Sequence, residues 1–320
     1  MGFVAESRGR GRTSQYILPP WGGGGRVPRR YPVGMIATAE EFRSALAAFR
    51  AEASLGVLDT GRYRMRYFSW GSGPPVVFIH GMADTARAFL MVMHRITPRF
   101  TCVGYELPDG LTDGSRLARY TYANYTADLL ALLDHLKFLQ AAVVGSSFGS
   151  TIALAALAAA PARFTHGVLQ NGFAHRPLTR WQRQLARSAR FWPGWFADWP
   201  EIHRAVMWRV ERATLSALPP PVADDFVANG ARTPIRASAL RSLAIHRTDL
   251  RPLLPTIRTP MLLLTGDRDP LVPPSCAAAL ERGLPSVRRI EFANCGHYPQ
   301  YTHPVPMAEA IGTFLTEAHP

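Results

Sequence analysis

Short runs of apolar residues, alternating or unbroken and each closed by a turn signal, occupy most of the chain after residue 55. Residues 63–70 alternate with a period of two and predict a strand, joined through Asp59-Thr60-Gly61 to another near Val57. Unbroken apolar runs at residues 76–79 and 100–105 predict buried strands, with a helix over residues 86–96 between them. Leu129, Leu132, Leu133 and Leu136 fall on one face at helical spacing and predict a helix over residues 122–138. The run Ala141-Ala142-Val143-Val144, followed by the small apolar residues 151–158, predicts a strand passing directly into a helix. Residues 167–171, 261–264 and 287–292 add three more strands, and residues 39–53 a helix ahead of all of them. Strands alternating with helices predict an α/β fold with a mostly parallel sheet and helices on both faces.

Between Asn171 and Pro260 that alternation stops. Residues 172–258 read as several helices separated by prolines, at Pro193, Pro200, Pro219-Pro220-Pro221, Pro234 and Pro252. Five of the seven tryptophans fall here, namely Trp181, Trp192, Trp195, Trp199 and Trp208. A clustered aromatic segment suits a pocket for an apolar acyl or aryl group, a greasy surface, or plain helix packing.

Three segments carry candidate chemistry. Gly145-Ser146-Ser147-Phe148-Gly149 sits where the strand turns into the helix, and glycines at both ends give a strained turn the room it needs. Ser147 is then pushed out at the end of the sheet as a candidate nucleophile. A serine needs a base and the base an orienting acid. Gly266-Asp267-Arg268-Asp269 follows one strand and Cys295-Gly296-His297-Tyr298-Pro299 follows another, so each candidate lies past the carboxyl end of a strand.

The order Ser147, Asp269, His297 resembles that of the α/β-hydrolases, and the likeness extends over residues 55–318. Val76-Val77-Phe78-Ile79-His80-Gly81 is similar to that family's strand ending in His-Gly. The resemblance implies an oxyanion hole from the backbone N–H groups of Met82 and Phe148. It also implies that Asp269, rather than Asp267, is the acid, and that His80 shapes the oxyanion loop. The chain departs from the family in three places: Glu106 stands for an aspartate, Ser150 for a second glycine, and Thr302 for an acidic residue. The implied domains are an Arg/Gly-rich disordered tail (1–34), an α/β-hydrolase core (35–171 and 259–320) and a helical cap (172–258). The implied activity is hydrolysis of a carboxylic ester of a small molecule, with no metal or organic cofactor. A carbon–carbon bond hydrolase and a receptor-like binder with little turnover are the alternatives.

Composition narrows the rest. The net charge of +13 is concentrated in two places. Residues 1–30 hold six arginines against one acid and residues 172–258 fourteen against six, while the remainder balances. The arginines and glycines of the tail are weak evidence for RNA binding, and the Gly22–25 run lacks the Lys-Ser/Thr of a phosphate loop, so no nucleic-acid partner is expected. Cys102, Cys276 and Cys295 are odd in number and irregular in spacing, which predicts neither disulfides nor zinc and points to a reducing, cytoplasmic setting. Residues 141–160 are nearly uncharged, but the turn in their middle argues against a membrane span. The first 30 residues contain no apolar stretch of signal-peptide length.

Overall fold

The computed structural model describes residues 29–31 and 37–317. Among these described residues nine strands form one sheet: β1 (Arg29–Tyr31), β2 (Ser54–Asp59), β3 (Arg64–Trp70), β4 (Pro75–Ile79), β5 (Thr101–Tyr105), β6 (Ala141–Ser146), β7 (Phe164–Gln170), β8 (Met261–Gly266) and β9 (Val287–Phe292). Their order is β1-β9-β8-β7-β6-β4-β5-β3-β2, and only β3 runs against the others. β2 and β3 are the hairpin that Asp59-Thr60-Gly61 predicted, with Gly61 N–H donating to Asp59 Oδ1 at 2.8 Å in the turn.

Twelve helices accompany the sheet among the described residues. They are α1 (Ala39–Glu52), α2 (Leu90–Ile96), α3 (Tyr122–His135), α4 (Phe148–Ala159), α5 (Arg180–Ala189), α6 (Pro200–Val210), α7 (Arg212–Ala217), α8 (Pro220–Ala231), α9 (Ile235–Arg247), α10 (Pro274–Gly283), α11 (Pro299–Thr302) and α12 (Pro304–Thr316). Three of them start at capping boxes written in the sequence. Thr38 pairs with Glu41, Thr121 with Asn124 and Thr179 with Gln182, each side chain satisfying the other's free backbone donor.

The central strands are buried on both faces, and alternation along β4 shows how. Val76 and Phe78 pack with Phe89, Met93, Ile311 and Phe314 on the α2 and α12 side. Val77 and Ile79 pack with Leu129, Leu132 and Ile152 on the α3 and α4 side. From β4 the chain moves one way to β5 and then back across to β6, so the carboxyl ends of β4 and β6 open a crevice. Between β7 and β8, where the pattern lost its alternation, α5–α9 form a purely helical insert. Arg29–Tyr31 fall in the stretch expected to be a disordered tail, yet they pair with Ile290–Phe292 at the sheet edge. An edge strand offers unpaired backbone groups to any extended segment within reach. The remainder of the expected tail lies outside the described residues.

Candidate active site

β6 ends at Ser146 and α4 begins at Phe148, so Ser147 alone makes the turn. Its φ of 49° and ψ of −112° are strained for a residue bearing a Cβ. The surrounding glycines are demanded by contact. A Cβ on Gly149 would lie 2.3 Å from Ile79 O, and one on Gly145 2.5 Å from Gly149 O. Ser147 N–H donates to Gln170 O at 2.9 Å. Ser150 Oγ donates to Ser147 O at 2.6 Å and accepts from Phe173 N–H at 3.3 Å. The serine at the usual second-glycine position thus ties the turn to the segment after β7.

Asp269 and His297 come from the ends of β8 and β9. His297 Nδ1 lies 2.7 Å from Asp269 Oδ2, and both side chains are almost wholly buried. Asp269 Oδ1 accepts from Leu271 N–H at 2.7 Å and Val272 N–H at 2.9 Å, which fixes the carboxylate in place. A carboxylate only accepts, so Nδ1 carries the proton and Nε2 is left as the basic nitrogen. Asp267 is exposed and braces the loop instead, accepting from Cys295 N–H at 3.0 Å. The Cys295 thiol is fully buried and pushed up to about 12 by that burial, so it is inert beside the histidine.

Ser147 Oγ and His297 are not hydrogen-bonded to each other; the end of β7 brings their backbones together. Gln170 accepts from Ser147 N–H through its carbonyl and donates Nε2–H to His297 O at 2.8 Å. Asn171 donates to the same carbonyl at 2.8 Å and accepts from Gly266 N–H at 3.0 Å. Through the Gln170 carbonyl and the two side chains, these residues clasp the segments that carry all three candidate residues. Nothing in the apolar pattern singled them out, because each partner is far away in sequence.

The loop after β4 lies against the turn at Ser147, where a Cβ on Gly81 would come 3.8 Å from Ser147 Cβ. Phe148 N–H is the first of a helix and has no intrahelical acceptor, and Met82 N–H makes no backbone hydrogen bond to a described residue. His80 accepts from Leu107 N–H through Nε2 at 3.1 Å and faces Gly81 O with Nδ1 at 2.8 Å, so Nδ1 is its protonated nitrogen. Glu106 Oε2 is 3.7 Å from His80 Nε2, yet no ion pair forms because that nitrogen is unprotonated. Burial, then the Arg241 guanidinium, lowers the His80 pKa to about 3.

Two buried charged residues of the insert reach this region. Arg241 on α9 donates to Met82 O, and to Leu107 O and Pro108 O at 3.3 and 3.1 Å. It sits on the inward stripe of α9, where Ala237, Arg241 and Ile245 are spaced by four and all buried. Glu211, between α6 and α7, is 2% exposed and accepts from Thr214 Oγ1 at 3.0 Å, while its Oε1 has no partner. Burial raises its pKa to about 7, against the opposing pull of His297. Thr214 and Glu211 pack over Gly296, so the insert covers the histidine loop. A cavity of about 1080 Å³ is lined by His80, Asp84, Arg241, Trp195 and the β2–β3 hairpin, and does not touch Ser147 or His297. Among the described residues no cluster of metal-ligating side chains occurs.

A family model for the alpha/beta hydrolase fold matches residues 74–304. The chain is similar to 2-hydroxymuconate semialdehyde hydrolase of Pseudomonas putida, 25% identical over 271 residues that cover 80% of this chain and 92% of that protein. It is also similar to pimeloyl-acyl carrier protein methyl ester esterase of Xanthomonas campestris pv. campestris, 27% identical over 273 residues that cover 77% and 96%. Among solved structures, the enol-lactonase from Burkholderia xenovorans LB400 superposes with a TM-score of 0.72 at 21% identity, covering 82% of this chain and all of that one.

Proposed function

The chain belongs to the α/β-hydrolase fold family and is a hydrolase of that fold; from that premise we propose that it cleaves carboxylic esters by a Ser147–His297–Asp269 mechanism. The observation that carries this reading is the buried 2.7 Å pair of His297 Nδ1 and Asp269 Oδ2, formed at the same end of the sheet as the strained Ser147. Ser147 Oγ attacks the carbonyl carbon and His297 Nε2 takes its proton. Asp269 holds the imidazole tautomer and stabilises the imidazolium. The N–H groups of Met82 and Phe148 receive the oxyanion, each lowering the barrier by about 3–4 kcal/mol. His297 then protonates the leaving alcohol, and water, activated by the same nitrogen, releases the acid.

The helical insert acts in this reading as a cap. With His297 only 1% exposed and Glu211–Thr214 packed over its loop, substrate reaches Ser147 when that part of the insert shifts. Ester hydrolysis is favoured over carbon–carbon cleavage of an anionic diketone-like acid by where the charge points. Among the insert's described arginines only Arg241 is buried, and its two terminal nitrogens donate to the carbonyls of Met82, Leu107 and Pro108 while Nε has no partner among the described residues. Its guanidinium is thus engaged mainly in bracing the loops after β4 and β5 rather than in selecting an anionic substrate. The buried free cysteines fit a cytoplasmic setting. The test is labelling with a fluorophosphonate followed by a panel of esters of increasing acyl length. Stoichiometric modification of Ser147, lost in Ser147→Ala together with a roughly 10⁴-fold or larger fall in kcat, is expected. Absence of labelling under conditions that label a reference serine esterase would overturn the mechanism and favour a binder with little turnover.

A further inference from the structure

The insert turns its greasiest residues away from the core. On α5, Trp181 is 73% exposed and Leu185, one turn on, 56%; Phe191 and Trp192 extend the stripe past the helix. Only Ala186 of α5 is buried. On α6, Ile202, Val206 and Val210 repeat every four residues along an exposed face, and only His203 is buried. Trp192 and Trp199 join the two stripes, with ring centroids 6.2 Å apart. Singly exposed apolar side chains are ordinary on a protein surface, whereas a contiguous aromatic patch on neighbouring helices marks an interaction site.

The charge around this patch is mainly positive, although Asp198 is exposed beside Trp199 and Arg204 pairs with Asp224 at 3.6 Å. Arg180, Arg187, Arg204 and Arg209 are exposed on the same two helices, against Glu201 as their only carboxylate. Tryptophan and leucine on one face with arginine on the others is the composition of a helix lying in the headgroup region of a bilayer, where indole rings settle at the apolar–polar boundary. No helix among the described residues is long and apolar enough to cross a membrane, so such contact would be peripheral.

We propose that the outer face of α5 and α6 docks the protein on an anionic phospholipid surface, with Trp181, Trp192 and Ile202 entering the interface and the arginines pairing with lipid phosphates. The docked face ends close to the site. Val210 closes α6, and the next residue, Glu211, packs over the loop of His297.

The experiment is co-sedimentation of the full chain with vesicles of phosphatidylcholine alone and with about 30% phosphatidylglycerol. Tryptophan quenching by brominated lipids is read in parallel, and light scattering gives the oligomeric state. Binding at least tenfold stronger to the anionic vesicles, with quenching of tryptophan, is expected. Trp181→Ser/Ile202→Ser/Val206→Ser should lose at least tenfold in binding and most of the quenching, and Arg180→Gln/Arg187→Gln roughly tenfold in binding. Circular dichroism of each variant confirms that the fold persists, and a milder Trp181→Ser change gives a second reading if the triple variant does not fold. Ser147→Ala should bind vesicles like the wild type, which separates this inference from the hydrolase mechanism. Vesicle binding that survives the apolar changes without quenching would assign the contact to the basic N-terminal residues and overturn the proposal. A dimer in solution that the same changes dissociate, with no vesicle binding, would overturn it in favour of a second copy of this chain.

Discussion

At the scale of single residues, the acid is where the chemistry is most sharply specified. Asp269 Oδ1 is held by two backbone N–H groups, so only Oδ2 is free to face His297. In Asp269→Asn those backbone donors keep the amide oxygen on their side and turn the NH₂ toward Nδ1. The imidazole must then accept at Nδ1 and carry its proton on Nε2, the wrong tautomer for a base. A loss of kcat on the order of 10⁴-fold is expected, with the urea midpoint shifted little. If the Asp269→Asn variant kept about a tenth of the activity, Asp269 would have no place in the mechanism. Gly149→Ala fails for a different reason. Its methyl group would press on Ile79 O and His80 O, main-chain atoms of a central strand and its loop that cannot rotate away. A cost of about 3 kcal/mol or more is expected in a denaturant titration, whether or not an ester substrate is ever found.

Among elements, the central question is what fixes the loop after β4, whose Met82 N–H is proposed to receive the oxyanion. The fastener is Arg241, which enters from the insert and serves three carbonyls of two core loops. Arg241→Met removes those donors while keeping the stem's bulk, so the buried carbonyls of Met82, Leu107 and Pro108 lose their partner. A destabilisation of about 3–5 kcal/mol is expected, with kcat falling and Arg241→Lys restoring part of both. A loss below about 1 kcal/mol would show that the carbonyls find water instead. This contact also shows where the sequence stops being readable. Apolar period and turn residues predict α1, α3 and the β2–β3 hairpin, because those signals are local. Ends are less legible: the helix predicted to Phe138 stops at His135, since Lys137 turns into a left-handed conformation with φ 61°. The helix predicted from Ala86 opens as a tighter 3₁₀ turn before α2 begins at Leu90. The order of the candidates Ser147, Asp269 and His297 was visible because each sits in its own short motif. The supports were not, since Gln170 reaches across 127 residues to His297 and Arg241 across 159 to Met82. Likewise β1 is three residues long, too short for any period, and only its partner β9 makes it a strand.

For the whole molecule, the buried titratable groups set how stability follows pH. Asp84 is 6% exposed and takes hydrogen bonds from Thr85 N–H and Tyr301 OH, but burial dominates and raises its pKa to about 8, with Glu106 and Asp225 adding to the rise. Glu211 is raised to about 7 by the same cause. In the unfolded chain both ionise near their ordinary values of 3.8 and 4.5, so above those the unfolded state holds fewer protons and stability falls with rising pH. His80 acts the other way. Folded, it stays neutral down to about 3, while unfolded it charges below 6.5, so its contribution is lost as pH falls through that window. Between roughly pH 4.5 and 6.5 the two slopes oppose each other, and between roughly 6.5 and 8 the acids act alone. Two acids outweigh one histidine, so from these groups stability should fall as pH rises from about 4.5 to about 8. Asp84→Asn isolates the largest component, because an amide oxygen can accept both existing hydrogen bonds and never ionises. Urea titrations at about pH 5.5 and 8.5 should show the difference in stability between variant and wild type widening in favour of the variant by about 3 kcal/mol, at about 1.4 kcal/mol per unit of pKa shift. A constant difference across that range would mean that Asp84 is ionised in the folded protein. In that case the loop after His80 would be wetter than its packing against Tyr301 implies.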